Sequence, residues 1–117
     1  MTQDLTGKTI LVTGAASGIG RAIAEHAAGA GSKALVLTDR DGDGLATIAG
    51  ALAGPHILTV CADLAEPEAA DVIFNTVAAL PRLDGLVNAA GITSRASFSD
   101  GTAELWDRIF AVNARAP

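Results

Sequence analysis

The chain is 117 residues long, enough for one domain; half of it is hydrophobic but only 3% is aromatic, so alanine, valine, leucine and isoleucine must fill any core. A formal net charge of −5 argues against a nucleic-acid partner, which requires a basic surface. One cysteine, Cys61, excludes an internal disulfide and suits a reducing compartment; with no leader pattern and no apolar run long enough to cross a bilayer, a cytoplasmic protein is expected.

Strand and helix patterns alternate along the chain. Lys8–Val12 reads as a first strand, and Ile19–Ala30 as a helix with Ile19, Ala22, Ile23, Ala27 and Ala30 on one face. Gly29 and Gly31 end that helix. Ala34–Thr38 is a continuous apolar run, the mark of a strand buried on both faces. Asp41–Leu52 predicts a second helix, with acidic residues in its first turn, stopped by Gly54-Pro55. A third strand is expected at His56–Cys61, and a third helix at Glu66–Leu80, bounded by Pro67 and Pro81. Leu83–Asn88 reads as a fourth strand, and a fourth helix runs from Thr102, a candidate N-cap, to about Asn113. This alternation with short links implies an α/β fold: a doubly wound parallel sheet of Rossmann type in the order 3-2-1-4. A ligand crevice then falls between strands 1 and 4. Residues 1–117 are expected to form one domain, incomplete at its C-terminal side, with the fourth strand left as an apolar edge prone to self-association.

The chemistry concentrates at four places. Thr13-Gly14-Ala15-Ala16-Ser17-Gly18-Ile19-Gly20 joins the first strand to the first helix. A helix N-terminus presents unpaired N–H groups and partial positive charge, and glycines let a pyrophosphate approach the backbone. Gly14, Ser17, Gly18, Ile19 and Gly20 are therefore candidate cofactor contacts, although a plain strand-to-helix turn gives the same pattern. Asp39 ends the second strand, nineteen residues after Gly20. Its carboxylate could accept from both hydroxyls of an adenosine ribose and repel a 2′-phosphate; the alternative is a helix cap. Arg40 next to it could instead meet a 2′-phosphate. Because Ser17 rather than a basic residue precedes Gly18, NAD is favoured over NADP.

Asp63-Leu64 ends the third strand, where the carboxylate could accept from an adenine amino group while Leu64 covers the ring. A helix-capping aspartate beside a core leucine is the alternative. Asn88-Ala89-Ala90-Gly91 ends the fourth strand; its small residues leave room for ribose and phosphates, and Asn88 could tie the first and fourth strand loops together. Asn113, a poor helix former seven residues after Trp106, either faces a polar site or lies exposed at a helix end. No metal-ligand cluster or Ser/His/Asp set surrounds His26 or His56, and Cys61 reads as a packed strand residue. A phosphate-binding ATPase loop is disfavoured because Arg21 follows the last glycine, and the Asn88–Gly91 segment disfavours a methyltransferase.

Taken together, these segments resemble the short-chain dehydrogenase/reductase family over essentially the whole chain. Thr13–Gly20 is similar to its cofactor motif, and Asp39, Asp63-Leu64 and Asn88–Gly91 to its ribose, adenine and fourth-strand motifs, with Ala89 where many members carry a second asparagine. Phe98–Asp107 with Val112-Asn113 is similar to its fourth-helix segment. The resemblance implies an NAD-dependent oxidoreductase that moves hydride between nicotinamide and an alcohol or ketone, as a homo-oligomer. It makes Asn113 the first member of an Asn-Ser-Tyr-Lys catalytic set, holding a water in the proton relay. The serine, tyrosine and lysine follow later in the family's order, and this sequence contains no tyrosine. The 117 residues alone are thus expected to be inactive, and a non-catalytic nucleotide-binding or interaction module is the alternative.

Overall fold

The computed structural model describes residues 4–117. Four strands, β1 (Thr9–Thr13), β2 (Ala34–Asp39), β3 (His56–Cys61) and β4 (Gly85–Asn88), form one parallel sheet in the order β3-β2-β1-β4. The apolar runs explain the central position of β1 and β2, whose side chains on both faces need cover. Ile10, Val12, Leu35 and Leu37 pack on one face against Ala24 and Ala27 of α1 (Gly18–Gly29) and Leu45 and Ile48 of α2 (Gly42–Ala51). Leu11 and Val36, one residue out of phase, pack on the other face with Ile73 and Val77 of α3 (Ala69–Val77). Successive strand side chains point to opposite faces, so one unbroken apolar run serves two cores. This is the doubly wound Rossmann-type arrangement.

Element boundaries follow local chemistry. Asp41 caps α2, its carboxylate accepting from the Gly44 N–H at 3.0 Å. The third helix begins at Ala69 rather than Glu66. The Glu66 N–H bonds the Asp63 carbonyl and the Ala69 N–H the Glu66 carbonyl, two successive tight turns, the second containing Pro67. It ends at Val77 rather than Leu80, as the Ala79 and Leu80 N–H groups bond carbonyls three residues back. β4 begins at Gly85 rather than Leu83, because Asp84 clamps Thr9 outside the ladder: its N–H donates to the Thr9 carbonyl and its carboxylate accepts the Thr9 N–H, both at 2.9 Å.

The buried face of α1 also differs from the expected one. Gly20, Ala24 and Ala27 are buried, whereas Ile19 and Ala22 are exposed. Gly20 must face the preceding turn, and that requirement rotates Ile19 outward.

After a single turn at Phe98–Asp100, α4 (Ala103–Phe110) starts at Thr102, whose hydroxyl accepts from the Leu105 N–H at 3.1 Å. It widens into a π-helical turn over Ala111–Arg115. Trp106 and Phe110 stack on its outer face with ring centroids 4.7 Å apart, both substantially exposed.

Candidate functional site

The three glycines of the β1–α1 turn do three different things. Gly14 has φ +65°, and a Cβ there would come within 2.8 Å of the Ala90 backbone, so its bareness lets the β4 loop lie against the turn. A Cβ on Gly20 would sit 2.1 Å from the Gly14 carbonyl oxygen, so Gly20 seats the first turn of α1. Gly18, at φ +57°, has nothing within 4 Å of where a Cβ would be and faces open space. Ser17 makes no side-chain cap to α1, so the first-turn N–H groups keep their capacity for an anion.

Around Gly18 lies a crevice of about 350 Å³. The structure brings Gly14, Ser17, Gly18 and Ile19 together with Asp39, Arg40, Asp63, Leu64, Ala89, Ala90 and Gly91 along its walls. The site thus gathers the ends of all four strands on one side of the sheet, where open α/β sheets hold ligands.

Asp39 is fixed by two backbone donors, the Ala16 N–H at 3.1 Å and the Asp41 N–H at 3.0 Å. The first ties β2 to the glycine turn; the second turns the chain toward α2. A carboxylate has about four lone-pair sites, so two remain for a ligand.

Asp63 accepts the Ala65 N–H at 2.9 Å on one oxygen and Arg108 Nη2 at 3.3 Å on the other. The Ala65 N–H holds its carboxyl below the usual range, Arg108 and Arg40 add to this, and partial burial opposes it.

Three expected residues lie elsewhere. Gly20 is buried behind the turn. Asn88 opens on the opposite face of the sheet, beside Leu11, Leu86 and Phe74. It does not tie the strand loops together; Thr13 does, its buried hydroxyl oxygen accepting from the Ala89 and Ala90 N–H groups, each at 3.1 Å. Asn88 follows Leu86 in the two-residue alternation, so it cannot share a face with Val87. Asn113 bonds Ile92 at two points: its Oδ1 accepts the Ile92 N–H at 2.9 Å and its Nδ2 donates to the Ile92 carbonyl at 2.8 Å. It therefore braces the crevice wall from behind.

Sequence reading passed over Arg108 and Thr13. Arg108, four residues after Glu104, looks like half of a surface helix pair; Thr13 was visible as a hydroxyl closing the first apolar run, directly before Gly14. Among the described residues no group of His, Cys, Asp or Glu could hold a metal, and no helix is long and apolar enough to cross a membrane.

The family model for short chain dehydrogenases matches residues 8–117. The chain belongs to this family. As a short-chain dehydrogenase it is 40% identical over 118 residues to bovine (Bos taurus) L-xylulose reductase, covering 99% of this chain and 45% of that protein. The L-sorbose reductase of Gluconobacter frateurii, solved with NADPH and L-sorbose, superposes with a TM-score of 0.91 at 34% identity, covering 99% of this chain and 45% of that one. The 3-ketoacyl-(acyl-carrier-protein) reductase of Brucella melitensis, solved with NADH, gives 0.87 at 36% identity, covering 97% and 47%. The chain spans about half the length of these relatives.

Proposed function

We propose that the crevice binds a nicotinamide dinucleotide, NAD in preference to NADP, and that these residues form the nucleotide half of an oxidoreductase acting on an alcohol or ketone. The observation that carries this is Asp39. It stands in the crevice wall, tied by a hydrogen bond from the Ala16 N–H to the same turn that presents the uncapped N-terminus of α1. The bare backbone at Gly18 and the small residues Ala89, Ala90 and Gly91 fit a phosphate-bearing ligand, since no side chain fills that space.

When bound, the nicotinamide supplies the carbon that gives or takes hydride. The chain's own residues do the positioning. The N-terminus of α1 holds the pyrophosphate, Asp39 accepts the ribose hydroxyls, and Asp63 accepts the adenine amino group while Leu64 covers the ring. Ile19, 76% exposed at the crevice, offers an apolar surface next to the phosphates. The side-chain amide of Asn113 spends one donor and one acceptor on Ile92, which leaves one of each for a water of the proton relay. The 117 residues contain no tyrosine, so the acid–base step of the family's reaction is not theirs alone. Self-association of the protein belongs to the same proposal, supported by the exposed Trp106–Phe110 stack.

Calorimetric titration tests the cofactor assignment. NAD should bind about tenfold or more tightly than NADP, and Asp39→Ala should weaken NAD and narrow that gap. Tighter NADP binding with Asp39 intact would overturn it. A second reading, NADP through Arg40, is favoured by the exposed guanidinium beside Asp39 and by the NADPH in the sorbose reductase. Arg40→Ala would then abolish NADP binding.

A further inference from the structure

One short segment of the crevice wall is gripped by two arginines from a single helical stretch. Asp63-Leu64-Ala65 forms the turn between β3 and α3. Arg108 on α4 donates to Asp63 Oδ2 at 3.3 Å, and Arg115, seven residues on, donates through Nη2 to the Ala65 carbonyl at 2.6 Å. Within the turn, the Ala65 N–H donates to Asp63 Oδ1. Three donors therefore hold this turn, and only one of them, Arg108, is a cation on the carboxylate itself. Arg40 acts on Asp63 only through space; Arg108 makes the ion pair.

We propose that Arg108 is a positioning and specificity-determining residue for the nucleobase: it fixes the orientation of the Asp63 carboxylate so that the crevice takes a 6-amino purine and rejects a 6-oxo purine. The inference rests on the nucleotide reading above and adds a residue to it. The Ala65 N–H fixes one oxygen but leaves the second free to swing about the side-chain torsion; Arg108 removes that freedom. An ionised carboxylate is an acceptor only, so it pairs with an exocyclic amine and repels a carbonyl oxygen at the same place. Without Arg108 the carboxylate can turn aside, and the penalty for the 6-oxo group falls. Arg115 holds the Ala65 carbonyl independently, so the backbone of the turn keeps its anchor when Arg108 is replaced.

The test compares NAD with its hypoxanthine counterpart, by calorimetric titration of the full chain. The unmodified chain should prefer the adenine form by roughly tenfold, the order of one hydrogen bond to a charged group. Arg108→Gln should cut that preference about fivefold or more, with the adenine form weakened and the hypoxanthine form bound somewhat more tightly. A merely structural role would weaken both dinucleotides together and leave the ratio unmoved. Arg108→Lys keeps a charge on a shorter, unforked donor and should give an intermediate ratio; it also serves if the glutamine variant loses its helical circular dichroism. An unaltered ratio in whichever variant is folded overturns the inference while leaving the nucleotide site standing. Equal binding of the two dinucleotides by the unmodified chain overturns both the adenine role of Asp63 and this inference, and no binding of either overturns the site itself.

Discussion

β2 and β4 are both apolar strands laddered to β1, yet they lie in opposite surroundings. Ala34, Leu35, Val36 and Leu37 are all buried at 5% exposure or less, whereas Leu86 of β4 is 46% exposed and Asn88 opens outward. β2 has a strand on each side and helices on both faces; β4 is bonded to β1 alone and only Val87 packs against a core cluster. An apolar run is therefore a capacity for burial, realised only where other elements supply cover. The crevice lies on the boundary between these regions. One wall, the glycine turn, is set by close packing against the end of β1 and the loop after β4. The wall at Asp63 is held by discrete hydrogen bonds, from Arg108 of α4 and from Arg115 in the turn that follows it.

If that contrast is right, substitutions at the packed wall cost most. Gly20→Ala should destabilise by about 4 kcal/mol or more, because its Cβ would meet the rigid Gly14 carbonyl and no side-chain rotation relieves the clash. Urea unfolding measures this, and a loss under 1 kcal/mol would show that the turn yields. The strand comparison comes next. Leu37→Ala should cost about 3 kcal/mol, as a fully buried leucine leaves a cavity, while Leu86→Ala should cost under about 1. Similar losses at the two sites would break the contrast between the strands.

At the hydrogen-bonded wall the losses are smaller. Asn113→Ala removes both bonds to Ile92 and should cost about 1–2 kcal/mol, with faster amide exchange at Ile92 as its local signature. The smallest effect is that of pH. Asp63 and Asp84 are both held below the usual carboxylate range, first by the N–H groups of Ala65 and Thr9, respectively. A depressed folded-state value contributes stability that is fully present above the ordinary carboxylate range and is lost as pH falls through the folded value. Urea midpoints should thus decline below that range, and Asp84→Asn should flatten the decline. An identical acid profile in that variant would assign the loss to other groups.

Much of the site was legible because its residues lie at strand ends, and strand ends show in the sequence as the points where apolar runs stop. Asp39 and Asp63 each follow such a run, and both line the crevice. Asn88 also ends a run, but its face depends on the pairing register of β4, which places it opposite Thr13. Arg108 was missed because its partner is 45 residues away on another element, and local spacing offered only the nearer Glu104. The π-helical turn was missed for a related reason: nothing in Ala111–Arg115 breaks a helix, and the side-chain bonds from Asn113 to Ile92 and from Arg115 to Ala65 occur across the fold.

By itself the sequence determined the alternation of strands and helices, the strand order and the glycine turn. The alternation and the turn rest on apolar periodicity and on backbone conformations that only glycine adopts without strain, which are local properties; the order follows from the handedness of connections between parallel strands. Tertiary structure alone decided which face each residue serves and which polar groups meet. It turned Ile19 outward, gave the strand tie to Thr13 rather than Asn88, and brought Arg108 onto Asp63. Those outcomes depend on how separate elements close upon one another, because a hydrogen bond between distant residues exists only once packing has brought its donor and acceptor within reach.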